Sequence, residues 1–131
     1  MTNNETAEYV ALTLGDLKVK AEKYKCELVV SSPLHLLIDL DTIAQHETFT
    51  ASAAILREAE PKIFGKIESW TSRNGKGTHY LIELKEEKSV YERVALQAVL
   101  GSDPKRETLC LKRLHEGKGE IIVLYRPMAR V

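Results

Sequence analysis

One apolar run of the chain ends in two carboxylates, at Leu36-Leu37-Ile38-Asp39-Leu40-Asp41. Side chains of a β-strand alternate between its two faces, so a strand here places Leu37, Asp39 and Asp41 on the same face. These carboxylates have no lysine or arginine beside them in the sequence, and a buried carboxylate without positive charge is unfavourable. Mg²⁺ or Mn²⁺ would supply that charge, because both ions prefer oxygen ligands. The alternative is a frayed strand end, with Asp41 or Thr42 capping the next helix.

The composition of the chain is that of a single globular domain over residues 1–131. The 131 residues are 44% hydrophobic and 29% charged, which is enough for one hydrophobic core and too little for two domains. Nineteen basic residues balance nineteen acidic ones, so the net charge does not indicate a nucleic acid or an anionic membrane as partner. Any basic binding site must therefore be local.

Other features of the sequence favour a protein of the reducing cytoplasm. The chain has no run of 18 or more apolar residues, and its first residues lack the pattern of a signal peptide. Residues 1 to about 6 are polar, and we expect them to be loose. Cys26 and Cys110 have no CxxC or metal-ligand spacing, which indicates two buried apolar side chains.

Hydrophobic periodicity and turn signals predict the order of the elements. Before the aspartate run they predict a helix over 14–25 and a strand over 27–30. After it they predict a helix over 42–60, where Thr42 with Gln45 resembles a capping box, and strands over 66–71 and 78–84 joined by a Gly-rich turn. They then predict a helix over 89–100 and strands over 109–114 and 120–125. This order contains the split βαβ unit of ferredoxin-like and RNA-recognition-type domains. We expect an α+β fold with an antiparallel sheet, helices on one face and an additional N-terminal helix.

The split βαβ order places the aspartate strand beside the strand predicted over 78–84. If Tyr80 and its alternate neighbours pack on the helices, His79 lies on the other, open face of the sheet. Asp39 and Asp41 share that face. The pattern therefore predicts that the two carboxylates and His79 lie together.

Four short motifs follow one another along the chain: Leu36–Asp41, Gly77-Thr78-His79, Ser102-Asp103-Pro104 and Leu111-Lys112-Arg113-Leu114. Their order resembles the catalytic core of the archaeo-eukaryotic primase superfamily, especially the primase-polymerases of phages and plasmids. The resemblance implies that Asp39 and Asp41 bind divalent metal and that His79 contacts the incoming nucleotide. It also implies a third acidic ligand, for which Asp103 is the candidate and Glu120 a competitor. The alternative role of Asp103 is to cap a helix after Gly101.

This resemblance implies a minimal nucleotidyltransferase core that depends on Mg²⁺ or Mn²⁺ and acts in nucleic-acid replication. His79, Arg73 and Lys76 would bind the triphosphate or the template, and so would Arg113. The implied partners are a nucleoside triphosphate, a nucleic acid and a replication protein. A local basic patch for a template strand would comprise Lys105, Arg106, Lys112 and Arg113.

The chain also departs from the family's pattern. The family's core is usually longer, and His115-Glu116 stands where its last segment has proline. A primase-like scaffold that has lost catalysis and binds a protein or a nucleic acid is therefore the first alternative. A third carboxylate beside Asp39 and Asp41 would favour the enzyme. A lesser alternative is a two-histidine phosphoesterase, which needs His46 and His79 on two central strands, whereas His46 falls in a predicted helix.

Overall fold

The computed structural model describes residues 14–119 and 122–128. These ranges contain four helices and five strands: α1 (Leu14–Lys23), β1 (Cys26–Val30), β2 (His35–Leu40), α2 (Ile43–Ala59), β3 (Phe64–Thr71), β4 (Thr78–Leu84), α3 (Val90–Val99), α4 (Pro104–His115) and β5 (Val123–Pro127). Of the helices in these ranges, none is long and apolar enough to cross a membrane. The N-terminal segment expected to be loose lies outside the described residues, as does Glu120.

The three-stranded sheet has the order β2-β4-β3, and both pairings are antiparallel. β2, α2 and β3 therefore form a βαβ unit whose parallel strands are separated by β4, which is the split arrangement expected from the sequence. Asp39 lies opposite His79 in the β2–β4 pairing. The expected α+β fold and the expected pairing of the aspartate strand with β4 are both confirmed.

One face of this sheet carries a core that is built on α2. Leu36, Ile38 and Leu40 are fully buried there, and they pack in one cluster with Ala53 and Leu56 of α2. This confirms the alternation expected for the strand, because every second side chain enters the same core. It also leaves Leu37 and Asp39 on the opposite face.

α2 begins at the capping box that the sequence predicts. The hydroxyl of Thr42 accepts a hydrogen bond from the backbone N–H of Gln45 at 3.1 Å, and the Gln45 side chain accepts one from the backbone N–H of Thr42 at 3.0 Å. The two bonds satisfy donors that a helix start otherwise leaves without partners. The chain therefore turns directly from the end of β2 into α2.

The second face of the sheet is covered by the two-stranded sheet of β1 and β5 and by α3 and α4, since Val94 and Cys110 share a core with Leu37. Helices thus lie against both faces of the sheet, not against one face as expected. Leu37 and Leu81 are packed there in a second core with Leu124 of β5 and with Trp70. The indole Nε1 of Trp70 donates a hydrogen bond to the carbonyl of Tyr125 at 2.8 Å. Trp70 is thus a core residue, and the face that we expected to be open is closed over this area.

The strand expected over 109–114 is wrong, because residues 104–115 form the helix α4. Asp103 is the N-cap of α4, Pro104 follows at its first position, and Glu107 lies in its first turn. These residues favour a helix start, since proline there loses no hydrogen bond and an acidic group interacts well with the helix dipole. Leu109 and Cys110 then fall on the buried side of the helix.

Candidate metal centre

The outer edge of β2 is occupied by side chains and backbone groups of the α3–α4 segment. Gln97 Oε1 accepts the N–H of Leu37 at 3.0 Å, and Ser102 Oγ accepts the N–H of Asp39 at 3.0 Å. The guanidinium of Arg106 donates to the carbonyl of Leu37. The outward-facing groups of this edge strand are therefore satisfied without a fourth strand, as buried backbone polar groups require.

The side chains that cover this edge form a buried polar group, which we call the edge network: Gln97, Ser102, Arg106 and Glu107. The Gln97 amide donates to Glu107 Oε2 at 2.8 Å, and Arg106 Nε lies 3.3 Å from Glu107 Oε1. Burial raises the pKa of Glu107, while the charge of Arg106 and hydrogen bonds from Gln97 and Ser102 act against that rise. The buried carboxylate thus has its own counter-charge and donors.

The turn that follows the edge network brings Asp103 to the aspartates of β2. The backbone N–H of Asp103 donates to the carbonyl of Asp39 at 2.8 Å. Asp39, Asp41 and Asp103, hereafter the acidic cluster, each offer one carboxylate oxygen within 4.8 Å of the other two. Ligands on opposite sides of Mg²⁺ or Ca²⁺ are about 4–5 Å apart, so the spacing suits a single divalent ion.

Asp103 also has the helix-capping role that the sequence left open. Its Oδ1 accepts the backbone N–H of Lys105 at 3.0 Å, as an N-cap carboxylate does. A carboxylate has two oxygens and accepts several hydrogen bonds, so this contact leaves capacity for a cation. Capping and metal binding are therefore compatible at this residue.

His79 lies beside the acidic cluster in a row that crosses the three strands. Asp39 faces His79, and His79 faces Trp70. His79 Nε2 is 3.3 Å from Asp39 Oδ1, and the Trp70 ring meets the imidazole edge-on at 5.9 Å. Asp39 Oδ1 and His79 Nδ1 are buried with no hydrogen-bond partner among the described residues. The contact between Asp39 Oδ1 and His79 Nε2 therefore lacks hydrogen-bond geometry, and a bound cation would give this carboxylate oxygen a further partner.

The hairpin between β3 and β4 passes very close to Asp41. A Cβ on Gly77 would lie 2.7 Å from Asp41 Oδ1 and 2.7 Å from the carbonyl oxygen of Leu40. Only glycine allows this approach. The N–H of Gly77 donates to Ser72 Oγ at 2.9 Å, so the base of the hairpin is fixed beside the acidic cluster.

The electrostatics of Asp41 differ from those of a paired carboxylate. Partial burial raises its pKa, and the neighbouring charges of Asp39 and Asp103 raise it further. His79 is the group among the described residues that lowers the pKa of Asp41. The acidic cluster therefore concentrates negative charge that a cation would relieve.

The cationic residues expected around the acidic cluster are more dispersed than the sequence implied. Arg73 lies on the ring of Tyr24, with its guanidinium carbon 3.6 Å from the ring centre. Lys76 is exposed on the hairpin. Arg113 is buried near the C-terminal end of α4, about 15 Å along the helix from Asp103, and donates to the carbonyl of Lys118 at 3.2 Å.

The basic patch proposed for a template strand does not form as one surface. Lys105 and Lys112 are exposed, whereas Arg106 and Arg113 are buried and hydrogen-bonded to backbone carbonyls. This part of the interpretation is wrong because Arg106 and Arg113, seven residues apart, both lie on the buried side of α4.

Sequence reasoning missed the edge network that holds Asp103 in place. Ser102 was noted only as part of a motif, and the roles of Gln97 and Glu107 were not recognised. Asp103-Pro104 followed by Glu107 is a helix-start pattern and was the available signal. The hydrogen bonds from Gln97 and Ser102 to β2 span some sixty residues, so no local pattern indicates them.

Comparisons with protein-family models, with curated proteins and with solved structures give no match for this chain.

Proposed function

We propose that this protein is a minimal primase-polymerase-like nucleotidyltransferase core that depends on Mg²⁺ or Mn²⁺. The observation that carries the proposal is the position of Asp103, which places a third carboxylate beside Asp39 and Asp41. A third carboxylate in that place favours a metal site over a strand end with two capping aspartates.

The roles of the residues follow from their positions. Asp39, Asp41 and Asp103 would hold the ion, which when bound would offset the charge of a triphosphate and of the reacting oxygens. His79 lies against Asp39, where it can donate a hydrogen bond to a phosphate oxygen. Lys76 on the hairpin offers an exposed ammonium group for the same triphosphate.

One observation favours a second candidate, which is a primase-like scaffold that binds metal or a partner without catalysis. Two arginines assigned to nucleotide or template, Arg73 and Arg113, make contacts away from the acidic cluster. Phosphoryl transfer depends strongly on fixed positive charge around the phosphates. Primer extension by a protein that binds metal and nucleotide separates the two candidates.

The third function considered, a two-histidine phosphoesterase, has no support in the geometry. His46 lies on α2, whereas His79 lies on β4. The paired-strand arrangement that this mechanism needs is therefore not formed by these two histidines.

The test is calorimetric titration with Mn²⁺, alone and with a nucleoside triphosphate. We expect wild-type protein to bind the nucleotide only when the metal is present. Asp39→Asn combined with Asp41→Asn removes two of the three anionic ligands, so metal affinity should fall by at least about tenfold. Circular dichroism establishes that the variant keeps its fold.

The matched control neutralises two other neighbouring carboxylates. Glu86→Gln combined with Glu87→Gln changes two exposed acids at the opposite end of β4 from His79. This variant should bind Mn²⁺ and nucleotide as the wild type does. Equal binding by the aspartate variant and the wild type would refute the proposal, and so would a wild type that binds no nucleotide with Mn²⁺.

A further inference from the structure

A cleft of about 860 Å³ opens beside the β3–β4 hairpin. It lies between the end of α1, the start of β1, the hairpin and the end of β5. Its lining includes Glu22, Tyr24, Lys25, Ser72, Arg73 and Met128. The volume is within the range of small-molecule binding sites, about 300–1,000 Å³.

The chemistry of the cleft combines an aromatic ring, a planar cation and a second cation. Arg73 is exposed, and its guanidinium carbon lies over the Tyr24 ring, 3.6 Å from the ring centre. Lys25 has a left-handed φ of 55° at the turn from α1 to β1, and its side chain is exposed at the rim. Glu22 is the acidic member of the lining.

This arrangement suits a nucleobase and its phosphate better than an anion alone. One face of the Arg73 guanidinium is stacked on Tyr24, so its other face can receive a base, as arginine and aromatic planes do in single-strand-binding proteins. Lys25 can contact the phosphate backbone, which is also the usual role of lysine at such sites. Met128 and Pro127 supply an apolar wall for the base.

The cleft is directly adjacent to the acidic cluster. Ser72 lines the cleft, and its Oγ lies 3.4 Å from the position that a Cβ of Gly77 would occupy. Asp41 Oδ1 lies 2.7 Å from that same position. Ser72 Oγ and Asp41 Oδ1 therefore lie on the same small area at the base of the hairpin.

We propose that this cleft binds a single-stranded nucleic acid by stacking one base on Arg73 and Tyr24. The strand would then pass the hairpin toward the acidic cluster. The inference deepens the proposed function, on which it rests, because it assigns a place to the template or primer strand of that reaction.

The experiment is fluorescence anisotropy of labelled oligothymidylate and oligouridylate with the full chain, at fixed salt and with EDTA present. Wild type should bind at least one of the two without metal. Arg73→Ala should weaken binding by about tenfold, since stacking contributes this order of affinity per base. Arg73→Lys keeps the charge but loses the plane, so most of that loss should remain.

A matched control is available in a second exposed arginine. The guanidinium carbon of Arg57 lies 5.6 Å from the ring centre of Phe64, and neither residue lines the cleft. Arg57→Ala should leave oligonucleotide binding unchanged. Circular dichroism and the urea midpoint of each variant exclude loss of fold as the cause.

Three results would overturn the inference: no binding of either oligonucleotide by wild type, equal losses in Arg57→Ala and Arg73→Ala, or full binding by Arg73→Lys. The metal site is tested separately. Asp39→Asn combined with Asp41→Asn should still bind the oligonucleotide in EDTA. If it does while wild type binds no Mn²⁺, the cleft stands and the proposed catalytic function fails.

Discussion

Two groups of polar side chains flank the edge of β2, and they differ in how the charge of their carboxylates is balanced. Glu107 of the edge network is buried with Arg106 at 3.3 Å and with amide hydrogen bonds from Gln97. Burial and then the charges of Asp39 and Asp103 raise the pKa of Asp41 in the acidic cluster, and among the described residues only His79 lowers it. The two groups are joined through Ser102 and Asp103, which are adjacent in the chain.

The comparison separates a structural carboxylate from one that is suited to a ligand. A buried carboxylate that has a counter-charge and hydrogen-bond donors has its charge balanced within the protein itself. Carboxylates that repel one another are unfavourable until a cation binds, and metal ions are the usual remedy. We therefore expect mutations in the two groups to change different properties.

The largest effect should come from breaking the edge network. Arg106→Met removes the counter-charge of buried Glu107 and the donor to the carbonyl of Leu37. Breaking a buried pair in this way costs about 3–5 kcal/mol of unfolding free energy. Urea denaturation followed by circular dichroism measures the loss.

Two further variants test whether that loss of stability comes from the buried Arg106–Glu107 pair. Lys105→Met changes the exposed neighbouring residue and should alter stability by no more than about 0.5 kcal/mol. Arg106→Met combined with Glu107→Met removes both charges and should be less destabilised than Arg106→Met alone. If Arg106→Met unfolds at the same urea concentration as Lys105→Met, Arg106 does not balance the charge of Glu107.

An effect of intermediate size should come from substituting Asp103, and it should distinguish the residue's role as a metal ligand from its role as a helix cap. Asp103→Asn keeps an N-cap acceptor but removes the charge, so stability should change by only a few tenths of a kcal/mol. Its Mn²⁺ affinity should still fall by about tenfold, the order expected when support of a metal site is lost. Calorimetry and urea denaturation on the same samples give both quantities.

Asp103→Ala is the companion variant, because it removes the cap as well as the charge. It should lose about 1 kcal/mol of stability in addition to the metal affinity. Wild-type Mn²⁺ affinity in Asp103→Asn would show that the residue is a helix cap and nothing more.

The smallest effect should be the pH dependence that arises from Asp41. Its pKa in the folded chain is above the ordinary value of 3.8, so ionised Asp41 is less favourable in the folded chain than in the unfolded one. Its contribution to stability is full below pH 3.8 and is lost as the pH rises through the folded pKa. Without metal, Asp41→Asn should stabilise the protein at neutral pH by a few tenths of a kcal/mol, because solvent screens the exposed charge.

Metal should reverse the sign of this effect. Mn²⁺ binds the ionised carboxylates, so its affinity should rise with pH through the pKa of Asp41. With saturating Mn²⁺, wild type should be more stable than Asp41→Asn. Urea denaturation across pH, with EDTA and with Mn²⁺, measures the change in stability caused by Asp41→Asn under both conditions. Glu86→Gln serves as the exposed-acid control. Stabilisation by Asp41→Asn under both conditions would contradict a metal site.

Local patterns in the sequence were sufficient to predict the sheet that carries the acidic cluster. The alternation of Leu36–Asp41 predicted which side chains enter the core, because strand geometry repeats every two residues. The capping box at Thr42 and the Gly-rich hairpin predicted where neighbouring elements begin. The split βαβ order then predicted that His79 would face Asp39. These features depend on near neighbours and on one topological rule.

The sequence by itself therefore determined the strand that bears Asp39 and the face on which its carboxylate lies. The helix-start pattern at residues 103–107 was also present in the sequence, whereas the tertiary structure alone decided that Asp103 joins the cluster. It also decided that Arg113 is buried and that Arg73 lies on Tyr24. The physical reason is distance along the chain: Gln97, Ser102 and Arg106 bind β2 across some sixty residues or more, and only the folded chain brings such partners together.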